Sequence, residues 1–305
     1  MKKALALGIG VFSLLTVVGI ARADQPAKQE GRVWVDQNFV LQFSPAWSWT
    51  TMPGARVEFA RSRESKAGVH FLELFFGPNY TYRSGNLTIK GSIWYYYMGY
   101  PGRGREVEVA PYEGTMACST AGIGIKDTCN VSTYNFSHNL EIVPSAEYRF
   151  GRWSIYERMI FHNTFYADVY ASPDATRNLS IDDQRWGWGT VLRELLQVRY
   201  SLTDKMGAFI SDEVFLGIIE DGDTSGLKNA KGDATGYKPS GYWKRGLRYN
   251  RTYFGVDYKI APNFTIAPMY MVEMGLSPVD SGDVTDIAHT LFIVATVTAQ
   301  TFGNK

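Results

Sequence analysis

The sequence has few of the residues from which catalytic and metal-binding sites are usually built. It contains two cysteines and four histidines among 305 residues. We find no glycine-rich phosphate loop, no cluster of metal ligands and no pair of carboxylates in the setting of a site. An excess of one charge is also lacking, since 31 Lys and Arg face 30 Asp and Glu, which gives no reason to expect nucleic acid or an acidic partner. The sequence therefore predicts no cofactor and no metal.

Long apolar runs are lacking beyond the N-terminus, and the mean hydropathy of -0.19 argues against membrane-spanning helices there. The exception is residues 4–21, which follow two lysines and precede an A-x-A motif that ends at Ala23. This pattern predicts a signal peptide over residues 1–23 and an exported mature domain over residues 24–305. The alternative is an uncleaved anchor helix, although the apolar run is at the short end for a membrane span.

What the sequence does have is alternation of apolar and polar side chains with a period of two. Residues 70–82 alternate in this way, a turn follows at 83–86, and residues 87–98 alternate again, which predicts a β-hairpin. One face of the hairpin is apolar with aromatic residues near its ends, and the other carries charged and amide side chains. A soluble sandwich would bury the apolar face, whereas a transmembrane barrel would expose it to lipid and turn the polar face to the lumen.

The connections between the predicted strands favour the barrel. Short turns, at 44–46, 83–86, 150–152, 203–205 and 261–263, alternate with longer loops, at 62–68, 101–137, 171–185, 219–245 and 277–285. Short periplasmic turns opposite longer extracellular loops are typical of outer-membrane barrels, and the 14% aromatic content suits the girdles at their two interfaces. The predicted fold is therefore a single all-β, antiparallel transmembrane β-barrel in the bacterial outer membrane.

The number of strands needs a further assumption. Eleven alternating stretches can be distinguished, whereas single-chain bacterial barrels close with an even number. The first stretch would also begin on the outer side, although the mature N-terminus starts in the periplasm. Either one strand is hidden, or residues 24–31 pass through the lumen. We expect about twelve strands.

Both cysteines fall in the loop predicted at residues 101–137, in a segment rich in Gly, Ser and Thr. In an exported protein, such a close pair predicts a disulfide between Cys118 and Cys129. A pair of metal ligands is the alternative, but no histidine lies nearby to complete a metal site.

Four segments carry a family resemblance: Trp47 with VEFAR at 57–61, WSIYER at 153–158, DEVFL at 212–216 and YNRTYFGVDYK at 249–259. Together they resemble an uncharacterised, porin-like family of Gram-negative outer-membrane β-barrels, known as a domain of unknown function. The pattern spans most of the mature chain, while the cysteine-bearing loop and the three residues after Phe302 depart from it. The resemblance implies a barrel and no activity, because none is established for the family.

The polar faces of the predicted strands collect nine acidic and nine basic side chains. The residues expected to line the lumen are Asp36, Arg56, Glu58, Glu73, Lys90, Trp94, Glu141, Glu147, Arg149, Arg158, Arg193, Arg199, Glu213, Arg251, Asp257 and Glu273. These groups either pair across a narrow lumen and fill it, or line a water-filled path and set its selectivity. Glu157 is an acidic exception on an apolar face, which requires a bulge or an interface position.

Aromatic side chains share the inward parity with these charges, namely Trp34, Trp94, Tyr96 and Tyr156. This combination suits sugar-like or other small amphipathic ligands. We therefore expect a porin-like barrel that passes or binds small polar solutes, with outer-membrane lipid and the barrel-assembly machinery as its other partners. The first alternative is a structural or surface-interaction barrel with a plugged lumen, and the second is a lipid-modifying enzyme.

The enzyme alternative requires a nucleophile beside a histidine at the lipid-facing rim. His138 lies at the end of the cysteine loop near Ser137, and Asn163 follows His162 but points to the opposite face of its strand. No nucleophile motif surrounds either histidine, so the sequence predicts that the protein is not an enzyme.

Overall fold

The computed structural model describes residues 28–61, 68–109, 127–172, 181–219, 228–229, 245–276 and 284–302. The predicted signal peptide lies outside these residues. No helix within the described ranges is long and apolar enough to cross a membrane. The alternating segments form β-strands, as a period of two requires.

Twelve strands are present in the described chain. They are β1 (Lys28–Gln42), β2 (Trp47–Arg61), β3 (Gly68–Ser84), β4 (Leu87–Val109), β5 (Asp127–Phe150), β6 (Trp153–Ser172), β7 (Ile181–Ser201), β8 (Met206–Ile219), β9 (Lys228–Asn229), β10 (Gly246–Ala261), β11 (Phe264–Leu276) and β12 (Val284–Gln300). Strand β9 has only two residues and pairs with the start of β7, outside the closed sheet. The other eleven strands form the barrel.

The barrel closes through one parallel pair of strands. Sequential strands are antiparallel neighbours, β6 pairs with β7, and β1 pairs with β12 in parallel from Lys28 opposite Asp286 to Gln42 opposite Gln300. The expectation of about twelve barrel strands is therefore wrong. An odd number of strands that alternate in direction can close only if its first and last members run the same way, and this pair meets that condition.

The alternative explanation for the odd number of strands, that residues 24–31 pass through the lumen, is also wrong for the residues that the structure describes. Residues 28–31 do not pass through the lumen, because they are the first residues of β1: all four pair with β12, and Glu30 and Gly31 also pair with β2. Residues 24–27 lie outside the described ranges. Strand β1 starts at the end of the barrel that carries the longer connections, which we call the loop end, and finishes at the opposite turn end.

Tight hairpins join the strands at the turn end. Gly85 has a φ of 58° and Gly151 has a φ of 60°. Each lies in a two-residue turn, between Ser84 and Leu87 and between Phe150 and Trp153. A positive φ at such a position matches the right-handed twist of the flanking strands and favours glycine.

The hairpin of β4 and β5 extends much farther than the sequence predicts. Pairing continues from Arg103 opposite Thr133 to Val109 opposite Asp127, so much of the loop predicted at 101–137 is strand. Cys129 lies in β5 opposite Val107, whereas Cys118 is outside the described residues. The disulfide between the cysteines therefore remains a prediction.

The two faces of the closed sheet differ in polarity. Large apolar side chains are exposed on the outside, including Ile93 at 54% and Phe254 at 48%. Polar and charged side chains are buried on the inside, such as Glu213, Glu58 and Asn139. Because a closed sheet satisfies every backbone group between strands, this inverted arrangement is stable in lipid. The structure is a transmembrane β-barrel, as the sequence predicts.

Candidate functional site

Aromatic side chains mark both edges of the apolar band. At the turn end, Trp47 packs against Tyr80 with ring centroids 5.1 Å apart, and Trp153 packs against Tyr200 at 4.7 Å. Toward the loop end, Tyr97 stacks on Phe136 at 6.3 Å. Two such girdles around an apolar outer face are characteristic of outer-membrane barrels.

The protein is located in the bacterial outer membrane.

The structure places the predicted lumen residues on the inner face of the barrel. A central cavity is bordered by nine of them: Asp36, Arg56, Glu73, Lys90, Trp94, Glu141, Arg158, Arg193 and Arg251. Glu58, Glu213 and Glu273 are buried beside these residues. The remaining four form two pairs nearer the turn end, Arg199 with Asp257 and Arg149 with Glu147. The side chain of Arg149 is 69% exposed there.

Glu213 is the centre of the first cluster of ion pairs. Its side chain is 0% exposed, and its carboxylate lies 3.1 Å from Arg158 Nη2, 3.0 Å from Arg193 Nη2 and 3.7 Å from Arg251 Nη1. The Tyr253 hydroxyl donates a hydrogen bond of 2.7 Å to its second oxygen. One carboxylate on β8 therefore joins guanidinium groups from β6, β7 and β10.

A second cluster surrounds Arg32, nearer the loop end. Arg32 pairs with Glu273 at 2.7 Å, with Glu58 at 3.4 Å and with Glu30. Glu273 also pairs with Arg251 at 2.5 Å, so the two clusters are continuous. A buried charge is tolerated only when it is paired, and the two clusters together meet that requirement with residues from seven strands.

Sequence reasoning missed Arg32 and His70 as inner-face residues. Arg32 shares the inward parity of Trp34 and Asp36, so alternation could have identified it. The register of β2 with β3 shifts between Arg56 and Val57, which leaves His70 as an extra residue of β3. As a result, His70 is buried with Nδ1 3.7 Å from Glu58, although it shares the parity of outward residues such as Leu72. Bulges of this kind break the period of two, and no turn residue in the sequence marks them.

Large side chains also meet across the lumen. Trp34 on β1 belongs to one packed group with Phe71 on β3, Leu195 on β7 and Tyr253 on β10. Arg251 lies over the Trp34 ring at 5.4 Å from its centroid. The lumen is therefore narrowed by side chains from well-separated strands.

A cavity of about 380 Å³ remains inside this packing. Aromatic rings and charged groups share its wall, and Phe75 stacks on Trp94 at 4.9 Å. Asn79 holds Trp94 in place, because its Oδ1 accepts hydrogen bonds from Trp94 Nε1 at 3.0 Å and from Ser92 Oγ at 2.7 Å. The volume falls in the range of small-molecule sites, which combine apolar walls with a few fixed polar groups.

The two histidines considered for catalysis lie on opposite sides of the wall. His162 is buried in the lumen, where its Nδ1 is 2.8 Å from Glu141 Oε1. His138 is on the outer face beside the Tyr95 hydroxyl, within the loop-end aromatic girdle. Ser137 is fully buried and, as the preceding strand residue, points to the inner side. No group of three or more His, Cys, Asp and Glu suited to a metal occurs in the described residues.

The outer face carries a small number of acidic groups. Asp212 on β8 accepts hydrogen bonds from Asn250 at 3.0 Å and from Thr252 at 3.2 Å. Glu157 on β6 lies between Ala146 and Leu196 without a shift of register, so no bulge turns it inward. It is an acidic side chain within the apolar band.

No protein-family model matches the chain, and no curated protein matches it. The translocator domain of autotransporter NalP from Neisseria meningitidis is similar at 10% identity and a TM-score of 0.41, over 79% of this chain and 71% of that one. A Pseudomonas aeruginosa FadL homologue is similar at 10% identity and a TM-score of 0.37, over 80% of this chain and 60% of that one. Outer-membrane expressed OmpT of Vibrio cholerae is similar at 13% identity and a TM-score of 0.25, over 85% of this chain and 92% of that one. The resemblance to an uncharacterised family stays a prediction.

Proposed function

We propose that the protein is a narrow, porin-like barrel that binds small polar solutes in its lumen and lets them pass. The cavity of about 380 Å³ carries this proposal, because its wall places aromatic rings beside fixed charges. Aromatic faces give a solute apolar contact, and charged groups fix its orientation. A wide general pore would lack the packed group of side chains to which Trp34, Phe71 and Tyr253 belong.

Lys90 offers a direct test, since it lines the cavity and stands 5.8 Å from the Trp94 ring without an ion pair among the described residues. In planar bilayers we expect small, discrete conductance steps from the wild-type protein. Lys90→Glu should shift the reversal potential in a salt gradient toward cation preference, because a wall charge is inverted at a constriction. The matched control is Lys205→Glu in the turn between β7 and β8, which should leave the reversal potential unchanged.

Arg193 and Arg251 are less suitable for this purpose, although the sequence suggests them as selectivity residues. Both guanidinium groups are paired with Glu213, so reversing either charge disrupts the cluster as well as the path. An unchanged reversal potential in Lys90→Glu, measured on a conducting and correctly folded barrel, would contradict passage along this wall.

A structural barrel with a plugged lumen is the second candidate, and the continuous ion pairs around Glu213 and Glu273 favour it. A folded protein that shows the heat-dependent gel shift of a barrel, yet neither conducts nor swells liposomes in sugar solutions, would support this candidate. We propose no catalytic role. Accordingly, we expect the wild type, His162→Ala and His138→Ala all to remain at background in a lipid hydrolysis assay.

A further inference from the structure

Two acidic side chains in the cavity wall converge on one glycine. Asp36 on β1 and Glu73 on β3 both stand opposite Gly54 on β2, the strand between them. A Cβ atom built at Gly54 would collide with Asp36 Oδ1 and would lie only 2.8 Å from Glu73 Oε1. The missing side chain is therefore what lets the two carboxylates approach each other.

These two carboxylates differ from the other acids of the lumen. Glu58, Glu141, Glu213, Asp257 and Glu273 each lie within 4 Å of a guanidinium group. Among the described residues, neither Asp36 nor Glu73 has such an ion pair. Two close carboxylates repel each other unless a proton or a cation lies between them. The pair is thus a local excess of negative charge in a lumen that is otherwise balanced.

Two buried acceptor atoms at this place have no hydrogen-bond partner, and the nearby donor Arg56 Nε lacks one as well. Asp36 is 2% exposed, and its Oδ1 has no hydrogen bond within the described structure. Asn38 lies two residues farther along the same face of β1, and its buried Oδ1 also has no hydrogen bond within the described structure. Glu73 differs, since Trp34 Nε1 donates to it at 2.8 Å and the Tyr96 hydroxyl donates to its other oxygen. Asp36 and Asn38 both border the cavity, so a group that only donates would complete them.

Aromatic rings surround the pair on the cavity side. Trp34 and Tyr96 contact Glu73 directly, and Phe75 meets Tyr96 edge to face at 5.9 Å. Two guanidinium groups, of Arg56 and Arg251, stand at 5.5 Å and 5.4 Å from the Trp34 ring centroid and bond to neither carboxylate. Carboxylates beside aromatic faces are the usual surroundings of a bound ammonium group.

We propose that Asp36, Asn38 and Glu73 form a subsite for the ammonium group of a small amine. This inference rests on the lumen binding proposed above and names its ligand class. The ammonium donates to Asp36 Oδ1 and Asn38 Oδ1 and screens the repulsion between Asp36 and Glu73. The solutes that the barrel prefers are then primary amines rather than neutral or acidic molecules of the same size.

The test is isothermal titration of the purified, folded barrel with three probes of one size: butylammonium, butanol and butyrate. Butylammonium should bind most tightly. Asp36→Asn should weaken its binding about tenfold or more while leaving butanol unchanged, because a charge-assisted hydrogen bond is lost. This variant keeps the shape of the side chain and removes a like-charge repulsion, so folding is expected. Asn38→Ala should weaken butylammonium binding by a smaller factor.

The matched control is Asp257→Asn, which changes an inner-face acid that pairs with Arg199 near the turn end. It should bind butylammonium as the wild type does. Equal butylammonium binding by the wild type and by Asp36→Asn would show that the amine does not bind at Asp36, and would overturn the inference. Swelling of liposomes in neutral sugars separates the two proposals: swelling without amine preference removes only the subsite, whereas the absence of both swelling and binding removes both proposals.

Discussion

The acids of the lumen fall into two kinds at the scale of single residues. Glu213 and Glu273 are surrounded by guanidinium groups, whereas Asp36 and Glu73 face each other and the cavity. The same residue type thus holds the barrel together in one place and forms part of a candidate binding site in another. Sequence parity puts all four on the inner face and does not separate them, because the difference depends on neighbours from distant strands.

Glu213→Gln should strongly destabilise the barrel. The substitution keeps the side-chain shape but leaves Arg158, Arg193 and Arg251 without their common counter-charge. Removing one partner of a buried ion pair typically costs about 3–5 kcal/mol. We expect a loss of this size in the free energy of unfolding, measured by urea titration in lipid vesicles with tryptophan fluorescence.

Glu147→Gln is the matched control, since it breaks the pair with Arg149, whose side chain is 69% exposed at the turn end. Exposed pairs contribute up to about 1 kcal/mol, so the change should be small. Similar losses in the two variants would mean that Glu213 adds no more to stability than a surface pair does.

At the scale of the strands, alternation predicts most of the barrel wall. It locates all eleven barrel strands, and it places Glu73 of β3, Lys90 of β4 and Glu213 of β8 on the inner face. It fails where the register of β2 with β3 shifts at Arg56, so the inward position of His70 could not be predicted. It also fails at the loop end, where β4 continues to Val109 and β5 begins at Asp127 in a segment that the sequence predicts to be a loop.

Glu157→Leu should stabilise the barrel in lipid. Glu157 follows Ile155 on the outward face of β6, and its Oε1 is buried without a hydrogen bond from any described residue. A lysine or arginine at the midplane of a barrel costs roughly 2–4 kcal/mol and an acid costs less, so the gain should be below that range. Urea titration in vesicles measures it, with Glu147→Leu as the control for the loss of an acid outside the apolar band.

A decrease in stability of Glu157→Leu would contradict a lipid-facing position. It would show that the carboxylate stabilises the folded protein through a polar contact. Chemical crosslinking of the wild type and the variant in membranes would then identify whether that contact joins two copies of the chain.

At the scale of the whole molecule, the pairing of the first strand with the last strand determines the number of strands in the barrel. Local patterns cannot reveal which strands meet at the seam, because β1 and β12 are separated by nearly the whole chain. The short turns and the alternating loops are compatible with eleven or twelve strands alike. Only the parallel register, with Gln42 opposite Gln300, settles the count at eleven.

The seam can be tested by a crosslink at the turn end, where Gln300 Nε2 donates to Gln42 Oε1 at 2.9 Å. In a background in which Cys118 and Cys129 are replaced by serine, Gln42→Cys together with Gln300→Cys should form a disulfide under mild oxidation. Neighbouring strands bring Cα atoms to the separation that a disulfide requires. The closed chain should migrate differently from the reduced chain on a denaturing gel. Gln42→Cys with Arg152→Cys, across the barrel, should not form the bond; its formation there, or its absence at the seam, would mean that the sheet closes through other strands.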